Sequence, residues 1–213
     1  MSPGATFAPL NTDIADESCD GRIAARRVLG TGFRPYERIS FVRAGETRAD
    51  RPQDVLRAGP AAAVLPLDLA RQEIVLLRQF RLPAQLANGR GCLVEIVAGH
   101  VDAEEQPAEA AHRECVEEIG LVPSPLIRLL SYFTSPGMLD EEVTLFLGIV
   151  DSSKLSRRGG FATEHEEIYP MRVPIDLALA ALTQGVIHNG PLIVALQWLA
   201  LNRGRLAEVA AQG

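Results

Sequence analysis

Residues Gly99–Leu121, GHVDAEEQPAEAAHRECVEEIGL, read as a loop and a helix whose charges gather at the wrong end. Gln106 with Pro107 marks the start, because proline is tolerated in a first helical turn, and Gly120 followed by Pro123 marks the stop. Inside that span Glu114, Glu117 and Glu118 crowd the last turns. Like charges three or four residues apart cost roughly 0.2–0.5 kcal/mol per pair. Anions near a helix C-terminus also oppose the macrodipole, by about 0.3–1 kcal/mol each. A positive charge from outside the helix is needed to offset this. At about 100° per residue, Ala108, Ala111, Cys115 and Ile119 share a face and are expected to enter the core, with the three glutamates on the adjoining arc. Carboxylates gathered in this way suit a hard cation such as Mg2+, which takes oxygen ligands from one or two carboxylates, phosphates and water. The ordinary meaning of a charge run is a solvated helix face, so the spacing has to decide.

Read outward, the stretch is Gly99, five residues, Glu105, seven residues, Arg113-Glu114, apolar Cys115 and Val116, Glu117-Glu118, Ile119, Gly120 and apolar Leu121. At the ~7% frequency of a common residue, the seven fixed letters coincide by chance about once in 10^8 windows. The pattern resembles the Nudix box, with Cys115 at a variable apolar position, where a free thiol packs as a small hydrophobe. The resemblance implies an α/β fold, an α/β/α sandwich with a mixed sheet, whose box forms a loop, a helix and a second loop. It implies hydrolysis of a nucleoside diphosphate linked to another group, with divalent metal as cofactor: Mg2+, or Mn2+ in its place. Carried over by position, Glu114 and Glu118 are the main metal ligands, Glu117 lies near them, and the Ala98 carbonyl is a further ligand. Glu105 and Arg113 would form a structural ion pair, and Gly99 and Gly120 would be structural in the motif. In that reading the metal supplies the charge the helix end lacks.

Outside the box the likeness points to the ADP-ribose pyrophosphatase branch. The approach LVEIVAG, Pro136 sixteen residues past Gly120, and the tail PLIVALQWLAL all resemble that branch. Glu164-His165-Glu166-Glu167-Ile168 resembles its E-x-E-D-I, which implies Glu164 as general base and Glu166 as a further metal ligand. Arg81, in RQFRLPA, matches an arginine that binds the diphosphate, a task suited to a planar fork of donors. Ser135, Pro136 and Gly137 are expected to line the substrate. Glu141 matches a carboxylate on a ribose hydroxyl, with an ordinary exposed charge as the alternative, and Phe33 matches an aromatic stacked on adenine, with a core phenylalanine as the alternative. The expected reaction splits ADP-ribose into AMP and ribose 5-phosphate. A pyrophosphatase acting on another nucleoside diphosphate sugar, such as GDP-mannose, and a Nudix-like sensor that binds without cleaving are the rivals. The branch's use of a partner subunit's N-terminal domain implies a homodimer.

The 213-residue chain as a whole is consistent with an ordinary globular protein: 47% hydrophobic and 23% charged, enough to bury a sizeable core. A formal charge of −6 gives no basic footprint for a nucleic-acid polymer. Cys19, Cys92 and Cys115 are odd in number and widely spaced, which suggests neither a disulfide framework nor a zinc site. No run reaches the ~18 apolar residues of a membrane span, and no signal peptide is evident, so the expected partner is a small nucleotide sugar and the expected location cytoplasmic. Scattered histidines form no metal or triad spacing.

Residues 1–20 are polar and expected to be partly disordered. Residues 21–58, with the alternating segments RIAARRVLG and ERISFVRAG, are expected as an N-terminal β subdomain serving dimerisation, and 59–213 as the hydrolase domain. Strands are expected at 61–67, 73–80, 92–98, 127–133, 143–150 and 168–173, with helices in IDLALAALTQG and PLIVALQWLALNRG. LDLARQ and ANGRG read as turns. The Gly/Ser/Arg-rich segment DSSKLSRRGGFATEHEE reads as a loop able to close over a polyanion.

Overall fold

GRIAARRVLG (β1, Gly21–Gly30) and YERISFVR (β2, Tyr36–Arg43) pair antiparallel, and β3 (Gln53–Leu56) adds a third strand on the other side of β2. The computed structural model describes residues 14–155 and 167–212, and divides them into a unit ending at Arg57 and a second unit beginning at Ala58. The first unit is thin. β1 is exposed along nearly its whole length, and Val42 is the one buried apolar side chain among the described residues of that unit. Its polar anchor is Glu37, 4% exposed, whose carboxylate accepts from Arg26 Nε at 2.9 and 3.0 Å and from Arg57 Nη1 at 3.1 Å. Hydrogen bonding from Arg26 outweighs burial and holds the Glu37 carboxyl below its usual range. Opposite one another on β2 and β3, Arg38 and Asp54 form a further ion pair at 2.6 Å.

In the second unit AAAVLPLD (β4, Ala61–Asp68) is buried at every residue, which a strand achieves only when both sheet faces are covered. Successive side chains point to opposite faces. Ala61, Ala63, Leu65 and Leu67 therefore share one core, and Ala62 and Val64 another. Around β4 stand β5 (Glu73–Phe80), β6 (Cys92–Glu95), β7 (Val97–His100), β8 (Leu126–Phe133), β9 (Glu142–Ile149) and β10 (Tyr169–Pro174). The sheet order is β10-β5-β4-β9-β8, with β6 on β5 and β7 on β4. β4 and β9 run parallel while the other pairs are antiparallel, so the sheet is mixed.

Three helices, α3 (Ile175–Thr183), α4 (Gly190–Asn202) and α5 (Leu206–Ala210), pack Ile175, Ala178, Leu192, Leu196 and Leu206 on the first face. The other face is covered by α2 (Pro107–Ile119) through Ala110, Ala111, Cys115 and Ile119. This is the expected α/β/α arrangement with its small separate antiparallel sheet. Among the described residues no helix is long and apolar enough to cross a membrane.

Three local expectations are corrected. CLVEIVA is not one strand: after Glu95 the chain changes partner from β5 to β4, which splits it into β6 and β7. LPAQLAN, read as part of a turn-rich piece, forms a short helix, α1 (Leu82–Asn88), with proline in its first turn and Gly89 in the left-handed region at φ 75° as its stop. It buries no side chain, so no apolar stripe announces it. Ala108, expected in the core, is exposed in the first turn of α2, and Ala110 is buried instead. The buried arc of α2 is centred nearer Glu118 than the apolar residues alone suggested.

Candidate functional site

The ends of α2 follow from its sequence. The Gln106 N–H donates to Glu109 Oε2 at 2.8 Å, closing a capping box, and Gly120 ends the helix at φ 69° with its N–H on the Val116 carbonyl at 3.1 Å. Burial of Ala111, Cys115 and Ile119 against the sheet then lays the glutamates along β7. Glu118 is only 6% exposed, and its Oε2 accepts the Ala98 N–H at 3.2 Å. One residue on, a Cβ at Gly99 would fall on the Glu114 carboxylate, so the absence of a side chain there is what lets Glu114 lie against the loop.

Arg113 ties the cluster together. Its Nε and Nη2 each donate to Glu105 at 3.0 Å, Nη1 donates to Glu114 Oε1 at 2.6 Å and to Glu117 Oε2 at 3.1 Å, and Nη2 also reaches the His100 carbonyl at 2.9 Å. Hydrogen bonding from Arg113 holds the Glu105 carboxyl below its usual range, against a smaller opposing effect of burial, and the Asp102 N–H at 3.2 Å adds to it. The guanidinium is raised further above its already high value, chiefly by Glu105. The unfavourable helix end thus has a partner inside its own sequence. Counting only these described groups, the Arg113 guanidinium and the four carboxylates of Glu105, Glu114, Glu117 and Glu118 carry a formal sum of −3. Burial, aided by Glu118 and Glu114, pushes the Cys115 thiol far up, so it packs rather than reacts.

The donor set is all oxygen and carries excess negative charge, which fits a hard divalent cation. Among the described residues, no group of three or more acidic, histidine or cysteine side chains is already gathered to hold a metal ion. In this arrangement Glu114 and Glu117 turn oxygens toward Arg113 and Glu118 turns one toward the strand backbone. A cation would engage the same carboxylates in competition with those partners.

The other described candidates stand on other elements of the chain. Arg81, the residue capping α1, is laid along Glu95, with Nη2 to Oε2 at 2.8 Å and Nε to both oxygens at 3.1 and 3.2 Å. Glu95 is 5% exposed and stands opposite Leu77, whose side chain belongs to the core under α2, so this pair shares the α2 face of the sheet. Ser135, Pro136 and Gly137 form an exposed turn after β8, closed by the N–H groups of Met138 and Leu139 on the Ser135 carbonyl. Glu141 is half-buried and accepts from Thr134 Oγ1 at 2.7 Å. Phe33, in the first unit, is 88% exposed with the Arg34 guanidinium 5.0 Å from its ring centre, which removes the alternative of a core phenylalanine. Glu164 and Glu166 lie outside the described residues.

Glu95 was not singled out in the sequence. Its signal was there, since a carboxylate inside the apolar run CLVEIVA must find a cation or a donor when buried. Tyr132 was also missed; burial and the nearby Glu141 push its phenol above the usual range.

Comparison with known proteins gives three kinds of match. A family profile described as NUDIX domain matches residues 57–200. The ADP-ribose pyrophosphatase of Escherichia coli (strain K12) is 32% identical over 201 residues, covering 93% of this chain and 96% of the relative. That of Haemophilus influenzae is 33% identical over 195 residues, covering 89% and 90%. A GDP-mannose pyrophosphatase of Cronobacter sakazakii is 34% identical over 151 residues, covering 70% and 78%.

Proposed function

This chain belongs to the Nudix family of hydrolases, and we propose that it is a metal-dependent pyrophosphatase that splits ADP-ribose into AMP and ribose 5-phosphate. The observation that supports the metal dependence is the gathering of Glu105, Glu114, Glu117 and Glu118 around Arg113 and β7, described groups whose formal charges sum to −3. Glu114, Glu117 and Glu118, with the Ala98 carbonyl and Glu166, would hold magnesium or, in its place, manganese. When bound, the ion supplies charge neutralisation of the diphosphate and a more acidic water.

The chain's own groups divide the remaining work. Glu164 takes the proton of the attacking water as its oxygen bonds to phosphorus and the bond from phosphorus to the bridging oxygen breaks. Arg81 orients the diphosphate, with Glu95 fixing the plane of its guanidinium. The turn Ser135–Gly137 and Glu141 receive the sugar end, and Phe33 offers an exposed ring for adenine. The exposure of β1, together with exposed Ile23, Val28 and Phe33, supports a homodimer in which a second copy covers that sheet. The free thiols Cys19, Cys92 and Cys115 support a cytoplasmic setting.

ADP-ribose is preferred over GDP-mannose because the ADP-ribose pyrophosphatase relatives align along 93% of the chain, the N-terminal unit included, against 70% for the GDP-mannose enzyme. The second reading retains support from the 34% identity of that enzyme. Incubation with ADP-ribose and with GDP-mannose, each with and without Mg2+, followed by product analysis, separates them. AMP with ribose 5-phosphate, formed only with metal, is the expected result. Faster release of GMP transfers the assignment to GDP-mannose, and binding without any product makes the protein a sensor.

A further inference from the structure

A cavity of about 630 Å³ opens on the face of the sheet turned away from α2. Its floor is Leu76 of β5, Val94 of β6, and Met171 and Val173 of β10, side chains that belong to the core under α3 and α4. On β5 the alternation Ile74, Leu76, Arg78 continues along that face, so the row of buried aliphatic groups ends at exposed Arg78, which lines the cavity. One wall is α3, through Leu177, Ala178 and Ala181. The two lips are the segment after α3, with Val186 and His188, and the segment between α1 and β6, with Arg90. They meet where Arg90 Nη1 donates to His188 Nε2 at 2.9 Å, across 98 residues of sequence. The Arg90 lip is itself held in shape, since the Gly91 N–H is bonded to Gln85 Oε1 at 3.0 Å.

Size and lining both point to a small ligand. Ligand sites commonly span roughly 300–1,000 Å³, with apolar walls and a few placed polar groups. Leu177 and Val186 at the rim remain 61% exposed, an apolar surface that a bound body would cover. The charge is one-sided, because Arg78 and Arg90 line the cavity and no aspartate or glutamate is among the described lining residues. A nucleoside diphosphate sugar, rich in hydroxyls, matches neither the aliphatic floor nor the lack of carboxylate acceptors. We propose that this cavity binds a small amphipathic anion, an aliphatic or aromatic body carrying one carboxylate, sulfonate or phosphate, at a site separate from the diphosphate chemistry. The body lies on Leu76, Val94 and Met171, and the head meets Arg90 and Arg78.

The test uses the full chain and two fluorescent probes with nearly the same aromatic body: 8-anilinonaphthalene-1-sulfonate, and uncharged N-phenyl-1-naphthylamine. Both are expected to saturate one site per chain and to be displaced by decanoate. Arg90→Ala should weaken the sulfonate by about tenfold, the loss of a charged hydrogen bond, while shifting the neutral probe less than about twofold. Ala181→Trp should exclude both probes. Independently of any variant, decanoate should slow alkylation of Cys92, which lines the cavity, and leave exposed Cys19 unchanged. Probe binding untouched by Ala181→Trp together with unprotected Cys92 places the site elsewhere, and equal weakening of both probes by Arg90→Ala removes the anion from the proposal. Binding that disappears as protein concentration rises gives the groove to a second copy of the chain and overturns the small-molecule reading.

Discussion

Replacing Arg113 by methionine keeps most of the aliphatic stem and removes the guanidinium that reaches Glu105, Glu114 and Glu117. Breaking a buried pair by deleting one partner costs about 3–5 kcal/mol. Arg113 is 33% exposed, so solvent screening lowers the expected loss to about 2–3 kcal/mol at pH 7. For a protein of this length that corresponds to a fall in Tm of about 4–12 °C. Trp198, the sole tryptophan, sits on α4, so its fluorescence reports unfolding of the second unit alone. The pH dependence has a defined sign. Glu105 is held below its ordinary value of 4.5 in the folded protein, so the stability it draws from Arg113 is present above that value. It is lost as pH falls through the depressed folded value. The difference between native and Arg113→Met protein should therefore be full at neutral pH and close progressively below about 4.5. Mg2+ should raise the Tm of the variant, because removing the guanidinium leaves more negative charge for a divalent cation to meet. A Tm within about 1 °C of native at pH 7, or a gap that persists unchanged into acid, would refute the role given to Arg113.

Four other substitutions follow from the same geometry. Gly99→Ala puts a methyl onto the Glu114 carboxylate; stability should change by less than about 1.5 kcal/mol, since the side chain can swing away, while hydrolysis falls at least tenfold in a product assay. Glu118→Gln retains an acceptor for the Ala98 N–H and so should fold normally, but calorimetry should find divalent affinity reduced by about tenfold or more. Glu164→Gln should leave divalent affinity unchanged and slow turnover by about 100-fold or more, the signature of a lost base. Asp68→Asn acts far from the cluster: burial raises the carboxyl, but hydrogen bonds from Arg71 and Ser152 outweigh it and hold it far below its usual range. Urea unfolding should show a loss of about 2–4 kcal/mol at pH 7 that shrinks as pH drops below the ordinary aspartate value of 3.8.

What the sequence disclosed is what local chemistry determines. The limits of α2 were legible because Gln106, Pro107 and Gly120 impose them through capping, a fixed φ and a left-handed stop. The run AAAVLPL announced a strand, but not that both its faces are covered or that its parallel neighbour is β9, because a short apolar run carries no information about partners. α1 escaped for the opposite reason, having seven residues and no buried side chain from which to read a period. The three glutamates of α2 were visible as a concentration of charge on one arc. The contact between Gly99 and Glu114, and the pairing of Arg81 with Glu95, depend on how β7 and β6 are laid in the sheet, which no local pattern reports.

The internal partner changes the meaning of the misplaced charges. A helix that ends in Glu114, Glu117 and Glu118 does not require a metal merely to form, because Arg113, one turn earlier, already meets two of them and Ala98 meets the third. The same Arg113 is drawn toward the start of the helix by Glu105 and by the His100 carbonyl. It therefore holds Glu114 and Glu117 from one side, and these described groups together with Glu118 sum to a formal −3. Residual charge of this kind is poorly screened where Glu118 is 6% exposed. It favours a compact divalent cation over water, and it disfavours the approach of an unaccompanied diphosphate. On the proposed function, these electrostatics would select substrate together with its cation, with Arg113 setting how much negative charge remains for the cation to meet.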